Sequence, residues 1–140
     1  MIVVALIGLL AVIAIPSFIR SRRESLITVH AQSLRLAADA FSLRAVERGT
    51  YPDDVSRSVV PAGMAEYMPK RMVWTERTPL GGAWDWDRDV FGFSAGVSTV
   101  GNDLAPADFL MLDKKIDDGD LNGGAFRMTA EKRFTWVIEE

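Results

Sequence analysis

A short acidic run near the C-terminus has residue types and spacing that suit metal binding. Residues 118–123 read Asp-Gly-Asp-Leu-Asn-Gly, which matches the opening of a calcium-binding loop. In such a loop, oxygen-bearing side chains at alternate positions face one cation, and a glycine permits the sharp turn. The candidate calcium ligands are Asp118, Asp120 and Asn122, and Asp113 and Asp117 could add two more.

A second interpretation of the same run stays open. The twelfth position of the loop is Thr129, where an EF-hand needs a bidentate glutamate, so the run is not an EF-hand. In an Asp/Gly-rich turn, Asp and Asn side chains also accept hydrogen bonds from backbone N–H groups two residues on, without any metal. The run is therefore either a calcium site or a turn capped by its own side chains.

The composition leaves little room for catalysis. The 140 residues include one histidine and no cysteine, which excludes disulfides, thiolate zinc sites, iron–sulfur clusters and multi-histidine metal sites. We expect His30 to be an exposed helix residue, because no serine or aspartate pattern around it suggests a triad. The net charge of −3 is unlike that of nucleic-acid-binding proteins. We expect no enzymatic activity, no nucleic-acid partner and, calcium aside, no cofactor.

The N-terminal part of the chain, which belongs to the scaffold of the candidate residues, is apolar. Residues 1–19 carry no charged side chain, whereas all 16 basic and 19 acidic residues follow them. As a helix, nineteen residues span roughly 28 Å, about the thickness of the hydrocarbon core of a bilayer. A cleaved signal peptide would need basic residues before the apolar run, and a buried soluble helix would show a polar stripe. Neither is present, so the composition favours a membrane-spanning helix.

The pattern beyond the apolar run predicts that the same helix continues to about residue 48. Residues 20–48 contain no glycine or proline, and apolar side chains recur at helical spacing at Ile27, Leu34, Ala38, Phe41 and Ala45. Gly49 is a helix stop. We predict a single helix over residues 1–48, with an apolar half (1–19) and an amphipathic half (20–48), kinked or broken near Pro16.

Residues 49–140 are predicted to form a β-rich head domain. Strands are expected at 83–87, at 90–94 with an extension to 100, at 125–129 and at 133–138. Helical patterns lie at 107–116 and within 55–68. The fold class is therefore α+β, with a long N-terminal helix on an antiparallel sheet of three to four strands that buries Leu34, Ala38 and Phe41. Trp84 and Trp86 are expected to be structural, or one of them to adhere to a partner surface.

The apolar half also resembles a known family. Residues 3–20 read VVALIGLLAVIAIPSFIR, an apolar helix that contains Gly8 and ends in a segment with Pro16, Phe18 and Arg20. This string resembles the N-terminal segment of type IV pilins and type II secretion pseudopilins. The resemblance is close here and loose over the rest of the chain. It implies a pilin-like fold in which these four residues serve filament assembly, with the helix between Gly8 and Pro16 either melted in the filament or merely kinked.

One part of the family pattern is missing. Members begin with a basic leader that ends in glycine, then a residue that becomes the methylated N-terminus, then a glutamate. When Pro16 is aligned to the family proline, Met1 falls just after that glutamate. We therefore expect the sequence to be truncated at its N-terminus, because the rest of the pattern is intact; the alternatives are a start assigned at an internal methionine and a degenerate relative of the family.

The resemblance implies a structural subunit of a type IV pilus-like filament. Such a subunit is held in the inner membrane and then polymerises with identical subunits into an extracellular helical filament, with an assembly ATPase and a platform protein as partners. Two alternatives stay open. One is a major pseudopilin of a type II secretion system in a periplasm-spanning filament, a class that often binds calcium in a C-terminal loop. The other is a membrane-anchored binding module that does not polymerise.

Overall fold

The computed structural model of the chain describes residues 1–102 and 104–140. Its helices and strands, in chain order, are α1 (Ile2–Arg48), β1 (Ala83–Val90), β2 (Phe93–Val100), α2 (Pro106–Ile116), β3 (Phe126–Ala130) and β4 (Arg133–Glu139). The strands form one antiparallel sheet in the order β1-β2-β4-β3. The predicted α+β class, a long N-terminal helix packed on a small antiparallel sheet, is confirmed.

Helix α1 is continuous from Ile2 to Arg48 and is not broken at Pro16. It ends where the sequence predicts, because Gly49 adopts a left-handed conformation (φ 77°) and its N–H donates to the Ala45 carbonyl at 2.8 Å.

Aromatic rings join the second half of α1 to the sheet. The Phe41 ring stacks on Trp86 with centroids 3.8 Å apart, and it meets the edge of Trp74 at 5.5 Å. Trp74 in turn stacks on Trp84 at 5.9 Å. The buried residues of α1 are Ile27, His30, Ala31, Leu34, Ala37, Ala38, Ala40 and Phe41. The predicted burial of Leu34, Ala38 and Phe41 is therefore confirmed.

The connection between α1 and β1 differs from the prediction. All of residues 50–82 are described, and they contain turns but no helix, so the helix expected within 55–68 is wrong. Single turns do form, as where the Met68 N–H donates to the Met64 carbonyl at 3.0 Å, but Pro61 has no N–H to donate and Gly63 is left-handed (φ 74°), so these turns do not join into a helix. Side chains hold the segment instead, since the indole N–H of Trp74 donates to the Val59 carbonyl at 2.9 Å.

The two hairpins match the predicted pairings with shifted ends. Strand β1 continues to Val90, so β2 begins only at Phe93 after a tight turn. Strands β3 and β4 pair as predicted, with Phe126 opposite Trp136. Helix α2 begins at Pro106, whose missing N–H costs nothing in the first turn.

We predict that the Phe41–Trp86 contact dominates the stability of the head. Replacing Phe41 by alanine should cost about 3–5 kcal/mol, because it removes a fully buried ring and leaves a cavity. Leu43→Ala is the matched control on the same helix. Leu43 is 51% exposed, so its loss should stay within about 0.5 kcal/mol. Denaturant unfolding of the whole chain in detergent micelles, followed by tryptophan fluorescence, measures both, and equal losses would contradict the prediction.

Candidate functional site

Three carboxylates meet where α2 ends. Asp113 lies in the last turn of α2, and Asp117 and Asp118 follow the helix. One oxygen from each lies within 4.8 Å of the others. Asp117 and Asp118 are exposed, whereas Asp113 is fully buried and neither of its oxygens accepts a hydrogen bond from a described residue. We call these three residues the acidic cluster.

The electrostatics of the acidic cluster are unfavourable to a charged Asp113. Burial raises the pKa of Asp113 to about 6, and the carboxylates of Asp118 and Asp117 contribute to the rise. The backbone N–H of Gly119 acts in the opposite direction but does not reach hydrogen-bonding geometry. At neutral pH the cluster therefore concentrates negative charge around a buried carboxylate, an arrangement that a bound cation would stabilise.

The acidic cluster is also tied to the edge of the sheet. Asp117 Oδ2 accepts the N–H of Phe126, the first residue of β3, at 2.9 Å. The carbonyl of Leu121 accepts the N–H of Met128 at 2.8 Å, so the loop that follows α2 covers the outer edge of β3. Position 124 favours glycine, because Gly124 is left-handed (φ 71°) and a Cβ there would collide with the Asp117 carboxylate.

Of the residues predicted to bind calcium, some lie where a cation could bind and others cap the backbone of their own turn. Asp118 lies in the acidic cluster. Asp120 Oδ1 accepts the backbone N–H of Asn122 at 3.0 Å and its side-chain amide at 2.9 Å, which lowers the pKa of Asp120. Asp118 Oδ1 likewise accepts the N–H of Asp120 at 2.8 Å. The run therefore forms the self-capped turn, while one of its members also faces Asp113 and Asp117.

The burial of Asp113 had a signal in the sequence. Phe109 precedes it by four residues, one helical turn, and is fully buried against Phe134, with ring centroids 3.6 Å apart. Residues four apart share a helix face, so the periodicity of α2 places the Asp113 carboxylate on its buried side. From the sequence, Asp113 is predicted only as an additional ligand, whereas in the structure it is the buried centre of the cluster.

The apolar half of α1 is the second candidate feature. An 18-residue stretch near the N-terminus is long and apolar enough to cross a membrane, and none of it is buried against the rest of the chain. Gly8 has open space where a side chain would be, and Phe18 is 69% exposed. Pro16 lies inside the helix, and Arg20 pairs with Glu24 at 3.3 Å. All four residues assigned to assembly thus lie outside the packed head.

An exposed apolar stripe continues along the amphipathic half of α1. Its members, spaced three and seven residues apart, are Leu26, Val29, Leu36 and Leu43, between 39% and 51% exposed. At 100° per residue they spread over about 100° along one flank of the buried face, next to its edge at Ala40. The sequence prediction followed only the buried row, although the spacing of these four residues was visible there.

Tryptophans and aspartates of β1 occupy opposite faces of the strand. Trp84 and Trp86 are buried against α1, so both are structural and neither is free to adhere to a partner. On the other face, Arg133 donates to Asp87 at 2.6 Å and to Asp85 at 2.8 Å. Burial raises the pKa of Asp85, Arg133 offsets part of the rise and Asp87 adds to it. This alternation supports the sheet.

The expectation that His30 is exposed is wrong. Its ring is fully buried and stacks on Trp84 with centroids 5.2 Å apart. Burial lowers the pKa of His30 to about 3, so it is neutral at physiological pH. Its position three residues after Ile27 and four before Leu34 places it on the buried row, and it serves as an aromatic core residue.

The described residues thus present two candidate features, the acidic cluster and the uncovered apolar surface of α1. No protein-family model, curated protein or solved structure matched the chain.

We predict that Asp113 makes the metal-free chain sensitive to pH. Its pKa rises on folding from 3.8 to about 6, so the folded state holds the proton more tightly. Stability should therefore fall as pH rises through this window and level off above it. Asp113→Asn should abolish that loss and raise the melting temperature at pH 7.

Thermal unfolding in a metal chelator between pH 4 and 7 measures this effect. Asp120→Asn is the control, because Asp120 is exposed and its pKa shifts in the opposite direction. A wild-type chain that gains stability from pH 4 to 6 relative to the Asp113→Asn variant would contradict the prediction.

Proposed function

We propose that this protein is the structural subunit of a type IV pilus-like filament, assembled through its apolar N-terminal helix. The observation that carries the proposal is the division of α1 into two halves. The second half packs on the sheet, whereas the first is apolar on all sides and none of it is buried against the rest of the chain. The partners are identical subunits in a helical homopolymer and, before assembly, the inner membrane, with an assembly ATPase and platform protein supplying the subunits.

The hydrophobic effect supports polymerisation. Burial of apolar surface contributes about 25 cal/mol per Å², so a helix exposed on every side is stable only in lipid or against other apolar helices. The head leaves the apolar half uncovered. Outside a membrane, the apolar helices of neighbouring subunits can cover this surface, because every subunit carries one. Packing these helices at the centre of an extracellular filament would leave the heads outside.

The exposed apolar stripe on the amphipathic half supports the same arrangement. Leu26, Val29, Leu36 and Leu43 offer a surface on which the apolar half of a neighbouring subunit can lie. Gly8 has no intrachain reason to be small, since a Cβ there would meet nothing within 4 Å. A close helix–helix approach between subunits gives it one.

The acidic cluster supports a second candidate function, the binding of a divalent cation in the head. Hard oxygen ligands suit calcium, and the specific observation is the buried Asp113 with both oxygens unpartnered. This feature favours the pseudopilin alternative, a periplasm-spanning filament of type II secretion. The third candidate function is that of a membrane-anchored binding module that does not polymerise.

Assembly can be tested with two matched substitutions. Leu36→Arg places a charge on the exposed apolar stripe, and Val59→Arg places the same charge on the loop before β1. Leu36 and Val59 are 46% and 47% exposed, so neither substitution should unfold the head. After detergent removal, the wild type and Val59→Arg should form filaments visible by electron microscopy, whereas Leu36→Arg should not. Monodisperse wild-type monomers under all conditions would refute the proposal.

Calcium binding has its own test. Calcium should raise the melting temperature of the wild type, because the cation neutralises the repulsion around Asp113. Asp113→Asn should lose most of this response, and Asp120→Asn should keep it. Calorimetry with and without chelator measures the binding directly. The absence of heat and of a melting shift would reject the site, and equal loss in both variants would reject the cluster as its centre.

A further inference from the structure

A groove lies between α1 and α2 where the apolar half of α1 ends. It encloses about 510 Å³ and is lined by Pro16, Ile19, Arg20, Arg23, Glu24 and Met111. Its floor is apolar on the side of Pro16 and Ile19, and its rim on the other side is charged. The groove is therefore amphiphilic along the axis of α1.

Helix α2 is fixed in place beside this groove. Arg23 forms an ion pair with Asp108, a buried residue in the first turn of α2. At the other end of α2, Lys115 Nζ donates to Thr28 Oγ1 at 3.0 Å, and the Lys115 carbonyl accepts from Arg35 at 3.3 Å. Helix α2 thus runs alongside α1 with its first turn nearest the apolar half, and Met111, 37% exposed, faces the groove.

The position of the groove matches the boundary of a bilayer. If residues 2–19 span the hydrocarbon, Ile19 and Arg20 mark the level at which lipid tails give way to headgroups. Pro16 and Ile19 then lie at the depth of acyl chains, and Arg20 and Arg23 at the depth of phosphates. Met111 would bring α2 to the same surface, as a contact of the head with the membrane that is separate from the span.

The charges at the rim suit an anionic headgroup. Arg20, Arg23 and Glu24 line this part of the groove, and Arg23 is already paired with Asp108, so Arg20 is the basic residue that can meet a ligand there. The Arg20–Glu24 pair is exposed on both sides and is a weak surface ion pair, which a phosphate can replace.

We propose that this groove binds an anionic phospholipid, with the acyl chain against Pro16, Ile19 and Met111 and the phosphate at Arg20. The site holds the head against the membrane surface before assembly, so it rests on the membrane-held stage of the proposed function.

The absence of cysteine allows a direct test with single-cysteine variants. Leu9→Cys reports on the span, Met111→Cys on the groove and Val46→Cys on the far end of the helix, about 40 Å beyond Ile19. Each variant carries a spin label and is reconstituted in nanodiscs whose phosphatidylglycerol fraction in phosphatidylcholine is varied. Collision with a water-soluble nickel chelate should be blocked at position 9, severalfold reduced at position 111 and unhindered at position 46.

Removing the arginine charge tests the headgroup. Protection of the label at position 111 should increase with the phosphatidylglycerol fraction. Arg20→Gln should move its midpoint to a roughly fivefold higher fraction, the ratio equivalent to about 1 kcal/mol per basic residue at a membrane surface. Arg48→Gln is the matched control, because Arg48 is also exposed and paired with a glutamate, Glu66, at the other end of α1. It should leave the midpoint unchanged.

Four outcomes would overturn the proposal. A position-9 label open to the chelate would remove the membrane span and with it both proposals. A protected position 9 with position 111 as open as position 46 would refute the groove alone. If protection at position 111 depended neither on the phosphatidylglycerol fraction nor on Arg20, neutral lipid would be sufficient to cover the groove. Protection that grows with the protein-to-lipid ratio would identify a second copy of the chain as the occupant.

Discussion

The stacking of Phe41 on Trp86 is the contact on which the rest of the structure depends. It joins the C-terminal part of the amphipathic half of α1 to the central part of β1, and Trp74, Trp84 and His30 extend the same aromatic layer. Because this layer covers only the second half of α1, the first half projects from the head as an uncovered apolar helix. The packing of the second half of α1 on the sheet therefore produces a stable head and also leaves the first half as an apolar surface that needs lipid or other subunits.

Sequence patterns predicted the helix and strands whose formation depends on neighbouring residues. Helical spacing located the buried row of α1, Gly49 marked its end, and alternation in Trp84-Asp85-Trp86 located β1. The prediction failed where distant residues decide the outcome. His30 is buried because Trp84 offers a flat ring fifty-four positions away along the chain. Residues 50–82 form turns because Trp74 and neighbouring backbone groups hold them, although single turns of the segment look helical.

The candidate site shows the same limit. Spacing alone identified the run at 118–123, but it could not decide between side chains that face a cation and side chains that cap their own backbone. The structure shows that Asp120 caps and that Asp118 turns toward Asp113. The central role of Asp113 depends on the packing of Phe109 against Phe134, a contact between α2 and β4 that no local motif specifies. The acidic cluster and the sheet edge are thereby coupled through Asp117.

The central claim is that the apolar half of α1 is covered by copies of itself. Helical reconstruction of native filaments by cryo-electron microscopy tests it most directly. The account predicts that residues 2–19 lie at the filament axis, in contact with the exposed stripe of Leu26, Val29, Leu36 and Leu43 of neighbouring subunits, with the sheets outside. Filaments in which the heads form the core, or in which residues 2–19 contact no other subunit, would contradict it.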